Sequence, residues 1–244
     1  MTTIFNIRGI DILYNEEYLS SGVSHYIKWL PHKSPHIIVI GATGSGKTYF
    51  TKLLLGKISL RCEDSQLYIC DFKGDDDFAF LTGSERFFKH FDCQNGLQMF
   101  YERFQKRQSG EDLSRNMIVL FFDEWASYCN SFDKKIIEDE KRKLSNLLML
   151  GRSFNVHVIV SQQRADAQFF STARDNFNLV IGLGNLSDES KGMFFSEYKK
   201  LMLPNRTQGT GYMLNNGAEF TAVKVPTISD FQKLHNQIKL GATR

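Results

Sequence analysis

The chain has 244 residues, of which 42% are hydrophobic and 23% are charged, and its formal net charge is +3. This composition is typical of a soluble globular protein with a substantial core, and one principal domain is the simplest expectation. The longest apolar run, residues 117–122, is far shorter than a membrane-spanning helix requires, and the N-terminus lacks a signal-peptide pattern. We therefore expect a cytoplasmic protein with no integral membrane segment.

Cysteine spacing argues against two further classes of site, whereas net charge excludes none. Cys62, Cys70, Cys93 and Cys129 contain no C-x-x-C pair, so neither a zinc site nor a redox dithiol is indicated. The small positive charge permits nucleic-acid binding without arguing for it.

The first 34 residues have a mixed pattern that we interpret as an N-terminal extension. Its apolar segments, residues 10–14 and 23–30, predict a short strand and a helix that pack on the core. Residues 35–244 are expected to form the main domain.

From residue 35 onward, short apolar runs alternate with segments of helical spacing. The runs cover residues 36–40, 66–72, 117–122, 156–161 and 179–183. Continuous apolar runs are typical of strands buried on both faces of a parallel sheet. Residues 48–57 and 141–151 have helical periodicity. The pattern predicts an α/β fold of three layers with a mostly parallel central sheet.

The C-terminal region predicts a hairpin followed by a helix. Residues 211–214 and 220–225 flank Asn215-Asn216-Gly217, a turn sequence that supplies positive φ. After Pro226 the apolar spacing indicates a final amphipathic helix.

The strongest motif is the phosphate-binding loop at residues 41–48, GATGSGKT, which satisfies G-x-x-x-x-G-K-[ST] between a predicted strand and a predicted helix. Backbone N–H groups of such a loop wrap a phosphate, and the helix N-terminus adds partial positive charge. Lys47 is expected to neutralise the β- and γ-phosphates. The expected nucleotide-binding residues are Gly41, Thr43, Gly44, Ser45, Gly46, Lys47, Thr48 and Tyr49.

Two acidic residues, Asp123 and Glu124, follow the apolar run 117–122, at the strand end where ligands gather in open parallel sheets. We expect Mg²⁺ to be held by Thr48 and Asp123, and Glu124 to act as the general base that deprotonates the attacking water. Another apolar strand lies between this pair and the phosphate loop, as in RecA-like NTPases, and no guanine-reading N-K-x-D follows Asp123. ATP is therefore the expected nucleotide.

A third strand, residues 156–161, ends in Gln162-Gln163-Arg164. The Gln163 amide is expected to contact the γ-phosphate and the attacking water, and the alternative is an ordinary polar strand end.

These motifs together resemble the motor domain of the FtsK/SpoIIIE branch of the FtsK/HerA superfamily of DNA-pumping ATPases. The matching segments follow one another in the family's order. They are PHIIVIGATGSGKT at 35–48, CDFK at 70–73, FFDE at 121–124, GRSFNVH at 151–157 with SQQR at 161–164, and GTGYML at 209–214.

The resemblance implies a homo-oligomeric ring, usually a hexamer, that moves double-stranded DNA by hydrolysing ATP at subunit interfaces. The family's proline after Q-R is replaced by Ala165, and Val180 stands where the family carries its trans-acting arginine. Arg174 is the nearest substitute and is the expected catalytic arginine, with Arg206 and Arg164 as alternatives. The sequence has no counterpart of the family's membrane anchor or winged-helix module, which favours a stand-alone motor of a mobile element, plasmid or virus.

Two other functions remain open from the sequence. One is a viral packaging or morphogenesis ATPase that acts only when docked on a loading or element-encoded partner. The other is an ATP-dependent interaction switch that does not move DNA. Lys134 and Lys135 are candidate pore-facing residues, although their mixed-charge surroundings also fit a solvated helix.

Overall fold

The computed structural model describes residues 9–164 and 167–244. In these residues ten β-strands and seven α-helices are found. The strands are β1 (Ile10–Asn15), β2 (Tyr26–Trp29), β3 (Ile37–Ile40), β4 (Gln66–Asp71), β5 (Phe87–Lys89), β6 (Ile118–Asp123), β7 (Val156–Gln162), β8 (Leu179–Leu183), β9 (Thr210–Asn215) and β10 (Glu219–Lys224). The helices are α1 (Glu16–Ser20), α2 (Lys47–Arg61), α3 (Cys93–Ser109), α4 (Trp125–Cys129), α5 (Lys134–Leu150), α6 (Asp188–Phe194) and α7 (Phe231–Thr243).

All ten strands lie in one sheet, in the order β2-β1-β10-β9-β8-β3-β7-β6-β4-β5. The strands from β8 to β5 pair in parallel, whereas β9, β10, β1 and β2 extend the sheet by antiparallel pairing. One strand, β7, separates β3 from β6. The ends of β3 and β6, which carry the two main motifs, therefore lie two strand spacings apart, about 10 Å.

Two hydrophobic cores cover the two faces of the sheet. Ile38 and Ile40 of β3 face the core that includes α3, α4 and α5. Ile37 and Val39 face the core that includes α2 and α7. Strands that are apolar on both faces are what the continuous apolar runs of the sequence indicate. The predicted three-layer α/β fold with a mostly parallel sheet is confirmed.

The predicted C-terminal hairpin and final helix are also present. β9 and β10 pair antiparallel with Glu219 opposite Asn215. The turn between them places Asn216 at φ 49° and Gly217 at φ 70°, the left-handed values that asparagine and glycine accept most readily. The helix after Pro226 is α7, which starts with the Asp230 side chain accepting the Lys233 N–H at 2.9 Å.

The N-terminal extension differs from the sequence expectation. Residues 10–15 form a strand, but the helix is α1, and the segment expected to be helical, residues 23–30, contains strand β2 instead. Alternation explains the difference, because Tyr26 and Lys28 are exposed while Trp29 is buried. β1 joins the sheet through β10, with Tyr14 opposite Lys224. The described part of the extension thus continues the central sheet, and residues 1–8 lie outside the described residues.

Across residues 9–164 and 167–244, no helix is both long and apolar enough to cross a bilayer.

Candidate active site

The phosphate loop joins β3 to α2, and two of its glycines are required by geometry. Gly46 has a φ of 99°, a left-handed conformation that residues with a Cβ adopt only under strain. A Cβ on Gly41 would lie 2.4 Å from the carbonyl oxygen of Leu183 in β8. The loop can therefore run close against the neighbouring strand and enter α2 directly. The free N–H groups at the start of a helix attract anions.

A cavity of about 270 Å³ opens at the carboxyl ends of the parallel strands. It brings together residues from the phosphate loop and from the ends of β4, β6 and β7. Two further residues come from a 3-10 helix after β4 and from the turn before β9. Its lining residues are Thr43, Gly44, Gly46, Lys47, Thr48, Tyr49, Lys73, Asp77, Asp123, Glu124, Gln163 and Gln208.

Lys47 is the buried cation of this cavity, with 8% of its surface exposed. Its Nζ donates to the carbonyl oxygen of Gly41 at 2.7 Å. Burial lowers the pKa of Lys47, and the carboxylates of Glu124 and Asp123 oppose that shift. The ammonium group is thus held at the loop by backbone oxygen and stabilised by two acids, from where it can meet a phosphate.

Asp123 ends β6 and is buried. Burial, the largest cause, raises the pKa of Asp123 together with the charges of Glu124 and Asp71, whereas the Ser161 side chain and the charge of Lys47 lower it, and the resulting pKa is about 7. A buried acid with too little positive charge around it gains from a divalent cation. Thr48, which carries a hydroxyl, lines the same cavity.

Mg²⁺ takes oxygen ligands and keeps several waters and phosphate oxygens, so a hydroxyl and one carboxylate fit it. In the described residues, no group of three or more His, Cys, Asp and Glu side chains could hold a metal by itself. The donor set therefore fits a cation that arrives with phosphates rather than one bound by protein alone.

The raised pKa of Asp123 predicts a pH effect on stability. Between pH 4 and 7, roughly, the folded protein holds a proton on Asp123 that an unfolded aspartate releases, so the free energy of unfolding falls as pH rises through this window. Asp123→Asn removes this dependence, because asparagine does not titrate. The free energy of unfolding of Asp123→Asn minus that of the wild type should therefore increase between pH 5 and pH 8, by a few kcal/mol at most. Urea unfolding without nucleotide measures it, and a difference that stays constant with pH contradicts it.

Glu124 follows directly and has a φ of 57°, in the left-handed region. For a residue other than glycine this conformation costs about 1 kcal/mol and is found most often at functional sites. The Glu124 N–H donates to the carbonyl oxygen of Ser161 at 2.7 Å, which fixes the turn against β7. Burial raises the pKa of Glu124, while Lys47 and hydrogen bonds from Gln163 lower it. The strained turn directs the carboxyl group into the cavity.

The structure brings together most of the residues that the sequence nominates. Gln163 is exposed and lines the cavity beside Glu124. Gly41 and Ser45 lie in the loop itself, where the Ser45 carbonyl oxygen accepts the N–H of Gly209 at 2.9 Å. Ala165, which replaces the family's proline, lies outside the described residues.

Two of the three candidate arginines, Arg174 and Arg206, are placed differently. Arg174 lies in a 3-10 segment, Ser171–Asn176, just before the amino end of β8, and its side chain is 36% exposed beside Asp175. Arg206 is held by residues of its own chain, because it forms an ion pair with Glu16 at 2.6 Å and lies over the Tyr212 ring. Val180, the family's arginine position, is buried in β8.

Three cavity residues were missed from the sequence: Lys73, Asp77 and Gln208. The sequence could have indicated Lys73, since this residue ends the CDFK segment that resembles the family motif. Asp77 lies in a 3-10 helix and Gln208 in a turn. Neither segment carries a sequence motif, and only the folded chain brings these residues to the phosphate loop.

A second cavity, of about 260 Å³, adjoins the first and shares Gly46, Tyr49 and Gln208 with it. Its other walls come from the residue before β9 and from the segment that follows β10. Those residues are Gly209, Val225, Pro226 and Thr227. The two cavities together extend from the strand ends past the phosphate loop to a partly apolar pocket.

Comparison with known proteins gives both sequence and fold relatives. The chain is 28% identical over 230 residues to the FtsK domain-containing protein YdcQ of Bacillus subtilis (strain 168), covering 84% of this chain and 46% of YdcQ. It therefore spans about half the length of that curated relative. Its fold is similar to that of the pCW3 conjugation coupling protein TcpA, with a TM-score of 0.74, 19% identity, and coverage of 98% of this chain and 72% of TcpA.

The cytoplasmic domain of the Type VII secretion ATPase EccC from Thermomonospora curvata is also similar, with a TM-score of 0.71 and 19% identity over 96% of this chain and 31% of EccC. These identities show a shared fold. The sequence model of the FtsK/SpoIIIE family matches residues 17–194. Because that match covers most of the chain, including the phosphate loop and the Asp123-Glu124 strand end, the protein belongs to the FtsK/SpoIIIE family.

Proposed function

We propose that this chain binds Mg-ATP in the cavity and hydrolyses it. The observation that carries the proposal is one cavity that is lined by Lys47 of the phosphate loop together with Asp123 and Glu124. The adjoining cavity has a partly apolar wall next to Tyr49, against which the adenine ring of ATP would pack. Family membership supports the same conclusion.

Each residue has a distinct task in this proposal. The start of α2 and Lys47 bind the phosphates, and Thr48 and Asp123 would hold Mg²⁺, which neutralises phosphate charge when bound. Glu124 accepts a proton from the attacking water. Gln163 positions that water and contacts the terminal phosphate, which fits its place beside the Glu124 carboxyl group.

We further propose that the chain works as a homo-oligomeric ring, a hexamer as the family resemblance implies, that moves double-stranded DNA. Its fold relatives include a conjugation coupling protein, which favours DNA handling for a mobile element, plasmid or virus, with an element-encoded partner that loads the ring.

The position of Arg174 supports a nucleotide site completed by a neighbouring subunit. Arg174 lies near the amino end of β8, whereas the cavity lies at the carboxyl ends of the strands. A trans-acting arginine must project away from its own site.

Electron microscopy with duplex DNA and a slowly hydrolysed ATP analogue tests architecture and cargo together. The expected result is a hexameric ring with DNA in its channel. Rings that exclude DNA would contradict the translocase and favour the packaging motor that needs a docked partner. Monomers that bind the analogue would contradict the ring and favour an ATP-dependent switch.

Lys47→Ala is expected to reduce ATP affinity by about a hundredfold while the protein stays folded. The reason is that charge-assisted hydrogen bonds to phosphate disappear, each of them contributing about 1.5–3 kcal/mol. Titration with a fluorescent ATP analogue measures the affinity. Arg61→Ala, which removes an exposed cation from the last turn of the same helix, is the control and should bind normally. Normal affinity in Lys47→Ala would refute the assigned phosphate site.

A further inference from the structure

One motif is left unused by this chemistry: the CDFK segment at the end of β4. Its last residue, Lys73, lines the same cavity as Lys47 and Glu124. Burial and the charge of Lys73 both lower the pKa of Lys47, so the two cations are close enough to influence one another. The cavity thus contains a second lysine, supplied by a different strand from the one before the phosphate loop.

The turn that carries Lys73 is fixed by its neighbours. Asp71 is buried and accepts the N–H of Gly74 at 2.9 Å. Gly74 has a φ of 66°, and a Cβ there would lie 2.0 Å from the ring of His90. Because the backbone on both sides of Lys73 is held in this way, its side chain starts from a defined point at the rim of the cavity.

The partner of Lys73 is Asp75, whose Oδ2 lies 2.5 Å from the Lys73 Nζ. The other oxygen of Asp75 accepts the N–H of Asp77 at 3.0 Å, so this carboxylate is anchored to the backbone. Lys73 is about half exposed, and an ion pair of such exposure contributes roughly 1 kcal/mol or less. A phosphate group can therefore compete with Asp75 for the ammonium group.

Sheet order decides which phosphate can reach Lys73. From β3 to β4 the order is β3-β7-β6-β4, which is three strand spacings or about 14 Å. In loops of this type the backbone N–H groups hold the phosphates nearest the nucleoside, and here that loop follows β3. The terminal phosphate of a triphosphate would then be the one that extends toward β6 and β4, where Glu124 and Lys73 line the cavity.

We propose that Lys73 binds the γ-phosphate of ATP by exchanging Asp75 for the phosphate, and thereby makes the site distinguish triphosphate from diphosphate. This role rests on the proposed function, since it requires a nucleotide in the cavity. We call the ion pair between Lys73 and Asp75 the latch, because the terminal phosphate would break it on binding.

Equilibrium binding of ADP and of a slowly hydrolysed ATP analogue to purified variants tests the latch. Lys73→Met should weaken binding of the analogue by about tenfold to a hundredfold, the scale of one charge-assisted hydrogen bond, and leave ADP affinity within about twofold. Lys73→Arg keeps the charge and should retain most of the preference for triphosphate. Asp75→Asn removes the competing carboxylate and should bind the analogue more tightly, again with ADP unchanged.

The control is Lys199→Met. Lys199 is about as exposed as Lys73 and lies 3.5 Å from Asp188 in a surface ion pair. Neither residue lines the cavity, so the loss of Lys199 should change neither affinity. Equal losses for ADP and the analogue in Lys73→Met, or no loss for either, would overturn the assignment of the γ-phosphate to Lys73. A wild-type protein that binds neither nucleotide would instead overturn the proposed function, and the latch with it.

Discussion

Glu124→Gln is expected to slow ATP hydrolysis by about a hundredfold or more while ATP and Mg²⁺ still bind. A positioned general base contributes about 10² to 10⁴ in rate, and glutamine cannot accept the proton. The backbone of Glu124 is held by its N–H bond to Ser161, so an isosteric side chain should keep the turn and the cavity intact. Phosphate release at saturating ATP gives the rate, and fluorescent-nucleotide titration gives the affinity.

The control for this variant is Glu102→Gln, which makes the same chemical change on the exposed side of α3 and should leave both quantities unchanged. A normal rate in Glu124→Gln would show that the base lies elsewhere. The strained φ of Glu124 would then need a structural explanation.

Arg174→Ala is expected to leave nucleotide binding intact and to depress hydrolysis by about 10³-fold, the scale on which trans-acting arginines stabilise transition-state charge in P-loop enzymes. The side chain is partly exposed and its nearest acidic partner is the adjacent Asp175, which leaves it able to reach across an interface. Arg142→Ala, which removes an exposed arginine of α5 paired with Asp139, is the matched control and should hydrolyse ATP normally.

Mixing the two inactive variants separates a trans role from a structural one. Arg174→Ala subunits have an intact Glu124, and Glu124→Gln subunits have an intact Arg174. When the two variants assemble together, some interfaces will pair Glu124 of an Arg174→Ala subunit with Arg174 of a Glu124→Gln subunit. Those interfaces should recover ATP hydrolysis. Full activity of Arg174→Ala alone, or no recovery despite assembly, would exclude Arg174. Arg164 would then be tested before Arg206, since Glu16 and Tyr212 hold Arg206 in its own subunit.

The sequence predicts the centre of this fold well because the central strands are buried on both faces. A strand such as β8 is apolar at every position except a glycine, so its bounds, 179–183, are visible without any structure. The nucleotide motifs are equally visible, since each follows such a strand directly. The residue before β3, His36, has a structural role in the PHIIVIGATGSGKT segment. Its Nδ1 accepts the N–H of Val158 at 3.1 Å and so links the start of β3 to β7.

Edges and loops were less predictable for physical reasons. β2 and β5 lie at the two edges of the sheet, where a strand of three or four residues needs few apolar positions. Gln208 reaches the cavity because Gly209 packs on the phosphate loop, 3.2 Å from where a Cβ of Gly46 would be. That approach depends on the β9–β10 hairpin joining the sheet, which local sequence patterns do not encode.

The most direct test of an ATP-driven DNA motor is phosphate release by the purified chain with linear duplex DNA of increasing length. We predict Mg²⁺-dependent ATP hydrolysis that rises with the length of the duplex, because a translocating ring hydrolyses more ATP before it leaves a longer track. The rate should be lost in Glu124→Gln at every length. Hydrolysis by the wild-type protein that is the same without DNA and at every duplex length would contradict the translocase.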